Sequence, residues 1–113
     1  MTITYKVQGY NLTTTNLTTV LTINTSSVAI IKEIAVANDD NTTVQCDYFF
    51  RDFSDSVVYK FYHSKPAANS HDNAVHNALV LEAGDSLKFQ AGTADKISGQ
   101  ISYALLNRSQ ENG

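Results

Sequence analysis

Val28-Ala-Ile-Ile-Lys-Glu-Ile-Ala-Val-Ala37 is the stretch on which the reading of the fold turns. It is rich in β-branched side chains, nearly continuous in apolar ones, and closed by the tight-turn cluster Asn38-Asp-Asp-Asn41. Strict alternation puts Val28, Ile30, Ile34 and Val36 on one face and Ala29, Ile31, Ala35 and Ala37 on the other. Apolar side chains on both faces predict a strand covered from both sides, in part by a neighbouring subunit.

The flanking sequence repeats the signal. Upstream, Ile3, Tyr5 and Val7 alternate with polar residues up to Gly9, and a Thr- and Asn-rich connection leads into a strand over 18–23. Downstream, strands are predicted over 42–53, 57–63, 75–81, 86–91 and 97–107, with 64–73 as the longest polar loop. Glu82-Ala-Gly-Asp85 reads as a turn in which Gly84 takes positive φ. About eight short strands joined by connections too short for helical crossovers predict one all-β domain, an antiparallel β-sandwich of jelly-roll type. It spans residues 1–108, with 109–113 a polar tail. Thr, Asn and Ser dominate the polar residues, and the 17% charged fraction is too small to clothe several amphipathic helices.

Composition excludes several functions. The chain has 113 residues, a net charge of −3 and one cysteine, so it holds one domain, no disulfide framework and no basic footprint for nucleic acid or an anionic membrane. No apolar run has the length of a membrane-spanning helix, and the first residues do not form a signal peptide, so a protein kept or assembled inside a cell is expected. The Asn-x-Ser/Thr triplets at Asn11, Asn16, Asn24, Asn41 and Asn107 then follow from Asn and Thr abundance.

Catalytic signals are weak. His63, His71 and His76 lie close in sequence but lack a zinc-site spacing, and are expected on the surface. Asp39, Asp40, Asp47, Asp52 and Asp55 fit turn formation better than a calcium loop. Cys46 shares a predicted strand face with Val44, Tyr48 and Phe50, as a small buried hydrophobe does. There is no nucleophile elbow and no phosphate loop, so no enzyme activity and no cofactor is expected. Aromatic residues crowd the middle of the chain, and alternation there places Phe49, Phe53 and Tyr62 outward, as an apolar patch expected to form an interface.

The order of features resembles the small β-sandwich virion proteins of tailed bacteriophages. The matching pieces are Gly9, the strand over 18–23, Val28–Asn38, the turn Leu81-Glu-Ala-Gly-Asp-Ser-Leu87 and the last long strand, 97–105. The aromatic-rich middle and the His-bearing loop depart from that pattern. The resemblance implies a non-enzymatic structural protein of the virion, assembled in the host cytoplasm: a capsid decoration (cement) protein, or a neck or tail accessory. It implies a homo-oligomer, with a trimer favoured, in contact with the major capsid protein or with neck and tail proteins. Two rival readings stand beside it. One is a carbohydrate-binding or adhesive sandwich, with Tyr62 or Phe53 stacking on sugar rings and the Asp cluster holding calcium. The other is a cupin-like enzyme, with His63, His71 and His76 on iron or zinc.

Overall fold

The computed structural model describes residues 2–75 and 78–107. Among the described residues nine strands run in the order β1 (Thr2–Leu12), β2 (Thr18–Thr22), β3 (Ser27–Asn38), β4 (Cys46–Asp52), β5 (Val57–Ser64), β6 (His71–Asn73), β7 (Leu79–Leu81), β8 (Ser86–Ala91) and β9 (Ile97–Asn107). They form two antiparallel sheets. One holds the long strands in the order β1-β9-β3, with β6 and β7 both on the far edge of β3; the other has the order β2-β8-β4-β5.

β6 pairs with Ala35–Ala37 and β7 with Ala29–Ile31, so the two occupy one strand position with a break in the middle. Counted so, eight strand positions divide four and four, with β1, β3, β6/β7 and β9 in one sheet and β2, β4, β5 and β8 in the other. Terminal strands β1 and β9 pair with each other and β2 lies beside β8, the jelly-roll path.

Between the sheets the core is filled by Leu12, Ile23, Ile31, Ile34, Leu81, Leu87, Ile97 and Ile101, all essentially inaccessible. Three rings run through it. Phe89 meets Tyr10 edge-on at 5.1 Å and Tyr48 edge-on at 4.9 Å, the geometry that sets ring edge against ring face. The two tyrosine hydroxyls of this trio are satisfied: Tyr10 donates to the Ala35 carbonyl at 2.7 Å, and Tyr48 shares a 2.7 Å hydrogen bond with Ser64. The Tyr10 bond crosses above Gly99 of the intervening strand β9, where a Cβ would lie 1.8 Å from the same carbonyl and 2.9 Å from the Tyr10 hydroxyl.

Several expectations are corrected. β1 runs on to Leu12, which is core rather than part of the polar connection. The strand expected over 42–53 starts at Cys46, and among the described residues of 75–81 the strand is β7, Leu79–Leu81. The polar loop contains β6, held by hydrogen bonds to β3.

The face assignment of β3 holds for only half of the strand. Ala29 and Ile31 point inward, and so do Ile34 and Val36, because Lys32 is an extra residue between Ile31, opposite Tyr103, and Glu33, opposite Ser102. Such a bulge switches the parity of everything beyond it.

Candidate interaction surface

Two outer sheet faces and one long strand edge carry the residues free to meet a partner. On the short-strand sheet, Phe49 points outward from β4, half-buried beside Lys60 of β5, whose ammonium lies 5.8 Å from the ring centre. Lys60 also pairs with Asp47 at 3.3 Å, and Asp47 is hydrogen-bonded to Nδ1 of His63. Burial pushes the Asp47 carboxyl up, but His63 and Lys60 outweigh it and hold the group below the usual carboxylate range.

Phe53 lies in the β4–β5 turn, half-exposed, with its ring where a Cβ of Gly84 would stand. Its amide donates to Asp85 Oδ1 at 2.9 Å, while Oδ2 accepts the Glu82 amide at 2.9 Å. Gly84 sits at φ +84°, as read from the sequence.

Tyr62 faces inward, which corrects the expected outward patch. β5 carries a bulge at Phe61: Tyr62 lies opposite Tyr48 and Lys60 opposite Phe49. The Tyr62 ring packs 5.6 Å from that of Tyr48, and its hydroxyl donates to Asp72 on β6 of the other sheet. Burial first, then the Asp72 charge and hydrogen bond, push the Tyr62 phenol up. Phe49, Phe53 and Tyr62 thus stand on an outer face, at a turn and between the sheets, and do not form one patch. For the same reason Tyr62 is not a platform for a sugar ring.

The remaining candidates resolve into structure. His63 lies on β5 and His71 on β6, at edges of different sheets; His76 lies outside the described residues. Among the described residues no three His, Cys, Asp or Glu groups are placed to hold a metal ion. Asp40, Asp52 and Asp55 accept amides of their own turns, from Asn41 at 2.7 Å, Ser54 at 3.1 Å and Val57 at 3.1 Å. Cys46 is buried, and that burial pushes its thiol up to about 11.

The apolar surface missed by the patch argument lies on the outer face of the long-strand sheet. Ile3, Tyr5 and Val7 of β1 are 56%, 79% and 63% exposed, and Val80 of β7 is 57% exposed. Register makes them a band. Tyr5 lies opposite Ala104, Ala104 opposite Ile30 and Ile30 opposite Val80; in the next row Ile3, Leu106 and Val28 stand side by side. Four strands thus contribute to a contiguous apolar band, most exposed at Ile3, Tyr5, Val7 and Val80, of the kind that marks contact surfaces. The sequence signals it in the alternation of Ile3, Tyr5 and Val7 with polar residues, a pattern that predicts a strand but not which of its faces is covered.

No protein-family model matches the sequence, and no curated protein is similar to it in sequence. Solved structures share its fold. A chain of the acidic stable capsid of Helicobacter pylori bacteriophage KHP30 matches with a TM-score of 0.59 at 7% identity, over 90% of this chain and 86% of that one. A chain of infectious bursal disease virus, Gx strain, matches at 0.56 and 8% identity; the match covers 96% of this chain but 33% of that one. A subunit from Bacillus endospore appendages, described as disulfide-linked pili, matches at 0.52 and 13% identity, over 95% of this chain and 88% of that one.

Proposed function

We propose that this chain is a non-enzymatic structural protein of a tailed-phage virion, acting as a capsid decoration protein that stabilises the shell through subunit and lattice contacts. The observation that carries the reading is the outer face of the long-strand sheet, an apolar band left open on a jelly-roll sandwich. A protein that binds a repetitive shell needs such a face, and needs no pocket with a poised acid or base. The likeness of its fold to a phage capsid chain and to a birnavirus chain supports the same reading.

Binding only to the assembled lattice would stabilise the shell by mass action. The partners in this reading are further copies of the chain, three being the sequence-based expectation, and the major capsid protein. Outward Phe49 and Phe53 belong to the contacts that it uses. A place at the neck or tail is the alternative within the same virion reading.

Quantitative mass spectrometry of purified particles, against the major capsid protein, tests the proposal. Hundreds of copies per particle are expected for a decoration protein. On the order of six, twelve or eighteen would move it to the symmetric neck or tail. Absence from particles overturns the virion reading.

A further inference from the structure

We infer that the outer edge of β1 is an assembly edge, and that its occupant is β1 of a second copy of this chain, paired antiparallel about a two-fold axis at Tyr5. The argument comes from comparing the four sheet edges. An open edge recruits other strands unless it is short, bulged, charged or interrupted. The β2 edge is short, at five residues, and bulged at Val20. The β5 edge is bulged at Phe61 and carries Lys60 and His63 outward. The β6/β7 edge is two pieces of three residues each. β1 has eleven residues, no proline and an unbroken register with β9, and among the described residues no strand pairs with its outer side. Three edges are protected and one is left open.

The composition of β1 suits its own copy. A two-fold axis normal to the sheet keeps the apolar faces of both copies on one side, so opposed residues have numbers of equal parity. Centred on Tyr5, the pairing sets Tyr5 against Tyr5 and Ile3 against Val7 on the apolar face, and Thr4 against Lys6 on the other. Lys6, the only charge on the strand, then meets a hydroxyl and not its own copy, so no like charges oppose. The exposed stretch from Thr2 to Gly9 is used almost symmetrically. The two apolar bands become one continuous surface across the axis. This deepens the reading of the chain as an assembling subunit and rests on it, but not on the assembly being a virion. The contact joins copies in pairs, and together with a ring contact it would join rings.

Tyr5→Asp and Tyr5→Lys test it, because both change a side chain 79% exposed and set like charges across the axis. Sedimentation equilibrium should give each variant half the wild-type mass with an unchanged β-sheet circular dichroism spectrum. An equimolar mixture should recover the wild-type mass, since Asp then faces Lys. Tyr5→Cys should cross-link to a covalent dimer on mild oxidation, while Phe49→Cys should not. A wild-type chain that is monomeric at tens of micromolar, variants that keep the wild-type mass, or a mixture that fails to recover it each overturn the pairing. None of these outcomes depends on whether the protein occurs in particles, so failure here and failure of the virion reading are separate results.

Discussion

Asp85 holds two turns together with one carboxylate. It accepts the Phe53 amide from the β4–β5 turn and the Glu82 amide from its own turn, while Gly84 leaves room for the Phe53 ring. Asp85→Ala leaves both amides without that acceptor and should cost about 3 kcal/mol, read as a lower urea midpoint at constant m-value. Asp85→Asn keeps one carbonyl acceptor and should lose less. Gly84→Ala meets both the positive φ and the ring and should cost about 1–3 kcal/mol. The glycine was legible, because a left-handed turn position is a local property. The bond from Asp85 to Phe53 was not, because it joins residues 32 apart in sequence.

Asp47 carries a pH dependence of known sign. Its folded carboxyl is held below the ordinary range, so its contribution is present above the unfolded value and lost as pH falls below about 4. Asp47→Asn should therefore flatten the acid limb of a stability–pH curve. The effect should be small, since Lys60 is half-exposed and screened by salt. An acid limb identical to wild type would exclude this role.

At the scale of elements, bulges at Val20, Lys32 and Phe61 decide which side chains reach the core. Each inserts one residue into otherwise period-two pairing, so residues beyond it change face. This is why strict alternation misplaces half of β3 and puts Tyr62 outside, whereas it holds for the unbulged β4 segment from Cys46 to Phe50. Deletion experiments separate bulge from ladder. Removing Lys32 leaves Ile31 inward, Glu33 outward and Ile34 inward, so the protein should still melt cooperatively close to the wild-type temperature. Removing Ala35 drives Ile34 or Val36 out of the core and should cost about 2–4 kcal/mol. Equal melting temperatures for the two deletions would contradict the bulge assignment.

At the scale of the whole molecule, the sandwich buries one face of each sheet and leaves the other face of each outermost. Phe49→Asp alters only an outer face and should preserve the melting temperature while weakening any contact made there. Tyr62→Asp should destabilise the monomer by about 2 kcal/mol, because it removes the ring against Tyr48 and the hydroxyl that reaches the opposite sheet. Melting curves of the two variants check that division, which period-two alternation alone merges into one patch.

By itself the sequence determined the all-β class, the jelly-roll type, the Gly84 turn and strands such as β9, whose bounds match the predicted ones. These follow from β-branched and turn-forming residues acting over a few positions, where local sterics suffice. Only the tertiary structure decided which strands adjoin, where the ladders bulge, that β6 forms, and that Ile3, Tyr5 and Val7 face solvent. A side chain has an inner face only once a second sheet lies over it. A three-residue strand such as β6 exists only because β3 offers it an edge, and both are properties of partners distant in sequence.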